Sequence, residues 1–347
     1  MGKKIISVNT GSSSLKLTVA DQETLETVFR AEKKNVVDFT AATNELVDTM
    51  KQEFNLEDIV AIGHRIVHGG SQAHTARLID DEVLAEIHQF AEFDPMHSEP
   101  ALVLITQMQH LFPQLPHIAC FDTAFFHDIP RVAQLIALPH EYQHGEIRRY
   151  GFHGLSYIYV LEALRHNGVA VDNEKIVVAH LGSGASLAAI QNGHAVDMTM
   201  GFTPTSGIVM SSRLGDTDPG LVGYLHKKFG MTIEDWTTMT NKASGLLGVS
   251  GLSADMYTVL QAEHDNPDAR DAVDLFVYRV RQAISSLAAS MNGIDRLVFT
   301  GGIGEASEPL RSRILEGLTF LNIAHTEVVN TDESVVILRK VKELLTQ

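Results

Sequence analysis

Residues 175–193 read KIVVAHLGSGASLAAIQNG. Ile176, Val177 and Val178 form a β-branched run, the composition of a strand. Gly182-Ser183-Gly184 permits a tight turn with close backbone approach. Leu187 to Ile190 is a returning strand, closed by the turn Gln191-Asn192-Gly193. Strand, small-residue turn and strand gather backbone N–H groups and hydroxyls at one point, where an anion such as a phosphate can sit. A lone Gly-x-Gly is more often an ordinary hairpin.

An echo at the N-terminus raises the first reading. Residues 4–21 read KIISVNTGSSSLKLTVAD: strand, polar residue, Gly-Ser-Ser-Ser turn, strand. Both copies place a side-chain ligand just before the turn, Asn9 in one and His180 in the other. Both follow the turn with Ser-Leu, at Ser14-Leu15 and Ser186-Leu187. Two related hairpins heading two halves of a chain predict an internal duplication with a ligand held between the halves.

The composition agrees with such an architecture. The chain has 347 residues, 44% of them hydrophobic and 20% charged, enough for two domains with sizeable cores. A formal charge of −16 with no basic run argues against nucleic acid and anionic membrane as partners. Any phosphate must be bound by a few cations placed against the overall field. No stretch has the length of a membrane span, and the start lacks a signal-peptide core. The single cysteine, Cys120, excludes an intramolecular disulfide and fits a reducing compartment, so a cytoplasmic protein is expected. The 17 histidines show no metal-ligand spacing, which argues against structural zinc.

Outward from the hairpins, Val37 to Phe54 has helical spacing, and Ile59 to Ile66 is a strand carrying Arg65 in GHRIVHGG. An arginine at a strand end before two glycines is an anion contact or a half-exposed strand residue. Asp81–Phe93 and Pro100–Leu111 are predicted helices, separated by a turn over 94–98. Pro116 to Phe121 is a strand delivering Asp122, and ligands of open α/β sheets gather beyond such strand ends. The usual alternative for such an aspartate is helix capping. His153 sits between Phe152 and Gly154 in RRYGFHGLSYIY, and Arg213 lies in a loop of small residues. Lys242–Ser253 reads as Gly/Ser-rich punctuation, and 271–291 as the longest helix. A strand at 297–300 enters the glycine turn Gly301-Gly302-Ile303-Gly304-Glu305 and a helix. Near the end Glu333 precedes a strand over Val335–Leu338 and a short terminal helix. The halves are expected to meet near residues 145–150.

NTGSSSLK, GHRIVHGG, FDTAF, RRYGFHG, HLGSGAS, MGFTP, GLLGVSG and FTGGIGE occur in this order along the whole chain. Together they resemble the acetate kinase family, with its propionate and butyrate kinase relatives. The resemblance implies an α/β protein of two ribonuclease H-like domains, of the actin, sugar kinase and Hsp70 superfold, with an active site in the interdomain cleft. Residues 1–148 with 336–347 would form the first domain, and 149–335 the second, nucleotide-binding one. ATP and ADP would be the phosphoryl donor and product, magnesium or manganese the metal, a short-chain acid the acceptor, and a homodimer the assembly.

Carried over by position, Asn9 and Glu333 resemble the metal site. Ser12, Ser14 and Lys16 resemble the first phosphate loop. Arg65, Asp122, His153 and Arg213 are similar to the catalytic set, with Arg65 also touching the acid. His180, Leu181, Gly182, Ser183, Gly184, Asp255, Met256, Tyr257 and Gly301, Gly302, Ile303, Gly304 and Glu305 resemble nucleotide contacts. Val67, Met96, Phe152 and Pro204 fall where the family builds its acyl pocket. The chain departs from the family pattern at Ser183 (usually Asn), Leu155 and Tyr157 (Thr and His), Phe126 (His), Tyr257 (Arg) and Met96 (Leu), and is shorter between Glu305 and Glu333. An acid with a pKa near that of Glu, about 4.3, is already an anion at neutral pH, so no strong base is required. The obstacle is repulsion, about 4 kcal/mol per unit-charge pair at 4 Å and an effective dielectric of 20. Direct in-line transfer to acetate or propionate is the expected chemistry. A propionate- or butyrate-preferring kinase and a degenerate nucleotide-binding relative with little turnover are the alternatives.

Overall fold

The computed structural model describes residues 2–11, 14–91, 95–143 and 145–346, with only the backbone of 95–97. It divides into two compact units: 1–127 with 152–159 and 332–347, and 128–151 with 160–331.

The first unit holds a six-stranded sheet of β1 (Lys4–Thr10), β2 (Ser14–Asp21), β3 (Thr27–Lys34), β4 (Ile59–Ile66), β5 (Arg77–Leu78) and β6 (His117–Phe121). Its order is β3-β2-β1-β4-β6-β5. β1, β2 and β3 are antiparallel neighbours, whereas β1, β4 and β6 run parallel. The second unit holds β7 (Lys175–Leu181), β8 (Ala185–Gln191), β9 (His194–Met198), β10 (Arg296–Thr300) and β11 (His325–Val328) in the order β11-β10-β7-β8-β9. Here too an antiparallel meander leads from the first strand, and two further strands join it in parallel. Apart from β5, which adds antiparallel to β6, the two sheets therefore share one topology, and Asn9 and His180 are each the penultimate residue of the equivalent strand.

Period-two alternation sorts the first sheet's residues between two covered faces. Ile6, Val8 and Ile62 face the helices Phe39–Glu53 and Pro95–Leu111 through Leu46, Val47, Met50, Leu104 and Met108. Ile5, Ala61, Ile118 and Cys120 face the opposite way, onto Val336, Ile337 and Val341 of the C-terminal helix. That helix approaches closely because Gly63 has no side chain. A Cβ there would lie 2.5 Å from a Val341 methyl and 2.6 Å from one of Ile337.

Three local expectations are corrected. Val335–Leu338 is not a strand but part of a helix, Glu333–Leu345, capped by Asp332, whose carboxylate accepts from the Ser334 N–H at 3.1 Å. Val336, Ile337 and Val341 are buried against the sheet, and tertiary packing overrides their strand preference. The helix predicted from Pro100 begins at Pro95, and Pro100 lies inside it. Pro95 is its first residue, where the missing N–H costs nothing. Lys242–Ser253 is not only punctuation, since Gly245–Ser250 forms a short helix. Its Leu246 and Leu247 N–H groups bond Met210 and Ser211 carbonyls, so the loop bearing Arg213 seeds it.

Candidate active site

The alternation that builds the core also builds the site. Asn9 is in phase with Ile5, Arg65 with Ala61 and Gly63, and Asp122 with Ile118 and Cys120. All three stand at the carboxyl ends of neighbouring parallel strands, on the face covered by the C-terminal helix, and Glu333 is that helix's first residue. Arg65 donates to Asp122 Oδ2 from Nε at 3.1 Å and from Nη2 at 2.7 Å. Its Nη1 reaches Asn9 Oδ1 at 3.2 Å and Glu333 Oε2 at 3.0 Å. Asn9 Nδ2 closes the ring by donating to Glu333 Oε2 at 2.9 Å. Four residues scattered from position 9 to 333 thus form one hydrogen-bonded group.

Asp122 is fully enclosed, and its side chain is 0% exposed against 12% for Arg65 and 11% for Glu333. Burial pushes its carboxyl up, to about 6, and the Glu333 charge adds to the push, while the Arg65 guanidinium pulls it back. For Arg65, burial favours the neutral form, but the Asp122 and Glu333 charges outweigh it and hold the group protonated. Both groups therefore keep their protons to higher pH than usual, Asp122 because burial wins and Arg65 because the neighbouring carboxylates do. Burial decides at Asp122, because Oδ1 makes no hydrogen bond of standard geometry among the described residues. The Leu155 N–H is the backbone group that faces this carboxyl.

Asn9 Oδ1 and the Glu333 carboxylate are hard oxygen donors. No group of three His, Cys, Asp or Glu residues is arranged to hold a metal among the described residues. This donor set fits magnesium, which keeps several waters and is commonly completed by substrate phosphates, and does not fit zinc.

Phe152 and Val67 are buried in the same unit. Phe152 meets the His68 ring edge-on at 5.5 Å, and His68 stacks flat on Phe90 at 5.2 Å. His68 and Phe90 were not singled out by the sequence; the signal was the histidine directly after Val67 in GHRIVHGG. His68 Nδ1 accepts from the Gly70 N–H at 3.1 Å, which puts the ring proton of the neutral imidazole on Nε2. His153, next to Phe152, has φ +60°, a left-handed conformation uncommon for a non-glycine residue. Ser14 and Lys16 open β2, with Lys16 paired in register with Asn9. Ser12 and the Met96 side chain lie outside the described residues.

In the second unit the Gly182-Ser183-Gly184 turn joins β7 to β8, and Gly301 follows β10, the parallel neighbour of β7. Gly301 has φ +77°, and a Cβ there would meet the Leu181 carbonyl oxygen at 2.7 Å, so only glycine brings the two turns this close. Gly302 and Ile303 continue into the short helix that contains Gly304. Glu305 Oε1 accepts from the Gly301 N–H at 3.0 Å, the Thr331 N–H at 3.0 Å and the Thr300 hydroxyl at 3.3 Å. That oxygen shapes the turn. His180 is buried, and Ser183 is exposed at the turn's tip. Asp255 caps the helix that begins at Met256, accepting from the Thr258 N–H at 3.0 Å and hydroxyl at 2.8 Å, and these bonds lower its pKa. Tyr257 is largely exposed. The buried Arg213 donates from Nη1 to the Pro204 carbonyl at 3.2 Å, tying the second arginine to a predicted acyl-pocket residue.

A family model described as the Acetokinase family matches residues 29–341. Acetate kinase from Bacillus cytotoxicus is 38% identical over 92% of this chain and 88% of its own length. That of Bacillus anthracis is 37% identical over 98% of both. Among solved structures, Porphyromonas gingivalis acetate kinase superposes with a TM-score of 0.89 at 30% identity, covering 99% of this chain and 100% of that one. A Francisella tularensis propionate kinase does so with a TM-score of 0.90 at 32% identity, covering 97% and 98%.

Proposed function

The chain belongs to the acetokinase family, and from that premise we propose that it transfers the γ-phosphoryl group of ATP to acetate, giving acetyl phosphate and ADP, reversibly. The observation that carries the reading is the Arg65 guanidinium, fixed at the carboxyl end of an interior strand by Asp122, Asn9 and Glu333. The acid's carboxylate oxygen attacks γ-phosphorus in line, and the bond from γ-phosphorus to the bridging oxygen of ADP breaks as the new one forms. Arg65 holds the acid anion and offsets its repulsion from the phosphates. Asp122, engaged on Arg65, orients that guanidinium and is not required to remove a proton. His153 and Arg213 donate to the equatorial oxygens of the flattening phosphoryl group. Magnesium, when bound, screens the phosphate charge, and Asn9 and Glu333 are the residues that would hold it.

The turns at 182–184 and 301–305, with Ser14 and Lys16, are assigned to the nucleotide, and Val67, Phe152 and Pro204 to the acyl group. Tyr257 supplies an exposed aromatic next to the capping Asp255. The protein is proposed to act as a cytoplasmic homodimer, as the family resemblance and the single cysteine suggest.

Likeness to a propionate kinase as strong as that to an acetate kinase favours a second acid. One methylene in an apolar pocket is worth about 1–3 kcal/mol, so both acids are expected as substrates, acetate modestly ahead and butyrate poor. The test is hydroxylamine trapping of acyl phosphate from MgATP and each acid. Hydroxamate from acetate and propionate supports the reading. A folded, ATP-binding protein yielding none with any acid refutes it, and a clear butyrate preference refutes the assigned pocket.

A further inference from the structure

Asp122 opens a short helical turn, 122–126, and His153 stands directly before the helix Gly154–His166. The two segments touch backbone to backbone. A Cβ on Gly154 would fall 2.0 Å from the Asp122 carbonyl oxygen and 2.7 Å from Phe125 Cβ. Backbone contact of that kind leaves no side chain to set the angle between the segments, and something else must set it. Tyr157 is placed to do so. It is wholly buried, its N–H donates to the His153 carbonyl at 3.2 Å, and its ring packs on the turn that follows Asp122. The ring lies stacked on Phe125 at 5.6 Å and meets Phe126 edge-on at 5.6 Å, while Phe125 and Phe126 meet each other edge-on at 5.1 Å. Phe126 and Tyr157, 31 positions apart in sequence, are thus partners in space.

We propose that Tyr157 is a positioning residue for phosphoryl transfer: its ring, wedged against Phe125 and Phe126, fixes the Asp122 turn against the His153 turn. The inference rests on the roles given above to Asp122 and His153. The left-handed backbone at His153 supports it, since such a conformation persists only where its surroundings over-determine it. The ring stack lies one helical turn after His153 and restrains the chain on the side where the helix begins.

The test is steady-state kinetics with acetate and MgATP on Tyr157→Leu, Tyr157→Phe, Phe126→Leu and the double Tyr157→Leu/Phe126→Leu, each checked for folding by near-UV circular dichroism and active-site titration. A displacement near 1 Å costs about 100-fold in rate, so Tyr157→Leu is expected to lower kcat by roughly 10- to 100-fold per folded molecule, with KM for ATP unchanged. Tyr157→Phe, which keeps the ring, retains kcat within about twofold, and the double variant is no worse than Tyr157→Leu because both remove one wedge. Three results would each overturn the proposal: full kcat per folded Tyr157→Leu molecule, Tyr157→Phe as poor as Tyr157→Leu, or strictly additive losses. An inactive wild-type protein would instead refute the kinase reading itself.

Discussion

Asp122→Asn separates what the candidate site costs the fold from what it supplies to the reaction. The wild-type carboxyl is fully enclosed and pushed from its ordinary 3.8 up to about 6. A folded-state value above the unfolded one means a stabilising contribution that is fully present below the unfolded pKa and lost as pH rises through the folded one. At pH 7 the native protein therefore carries an ionised group it resists, and the interval between the two values corresponds to roughly 2–3 kcal/mol. Asparagine keeps an acceptor for Arg65 and has no charge to desolvate. Asp122→Asn should accordingly match or exceed wild type at pH 7, by up to about 3 kcal/mol, with the advantage shrinking to nothing below about pH 4. Activity should move the other way, with kcat down at least about 100-fold once the guanidinium loses its anionic anchor. The assay is urea denaturation from pH 4.5 to 7.5, followed by far-ultraviolet circular dichroism. The single tryptophan, Trp236, lies in the second unit, so its fluorescence tracks the unit that was not altered. If Asp122→Asn were less stable than wild type by more than about 1 kcal/mol at pH 7, the ion pair with Arg65 would outweigh burial and the reasoning would fail.

Other outcomes follow from the same geometry. Gly63→Ala drives a methyl into Ile337 and Val341 and should destabilise by about 1–3 kcal/mol, read as a lowered denaturation midpoint. His64 and His117 are stacked and 3.0 Å apart in the core, and burial lowers both pKa values. Their contribution is present above about 6.5 and lost as pH falls through the folded values. A His64→Gln/His117→Gln variant should lose this part of the acid sensitivity, and an unchanged pH slope of stability would count against the pair. Arg213→Ala should lower kcat far more than it raises KM for the acid, whereas Arg65→Ala should also raise that KM; purely KM effects in both would remove the transition-state role of Arg213.

Much was legible from the sequence alone because it was local. The strand at Ile59–Ile66 matches its predicted limits, and the hairpins at Asn9 and His180 were readable from β-branched runs and small-residue turns. That likeness foretold two sheets of one topology, since each hairpin heads a meander by the same short-range rules. The tertiary structure decided what depends on distant partners. Val335–Leu338 has strand-forming residues, yet the surface offered around Gly63 and the cap at Asp332 made it a helix. Asn9 meets Glu333 across 324 positions, and Arg65 meets Asp122 across 57. The period of a strand says which residues share a face. Which face is covered, and whose carboxylate arrives with the cover, is set by burial free energy summed over the whole unit, and no window of sequence contains that sum.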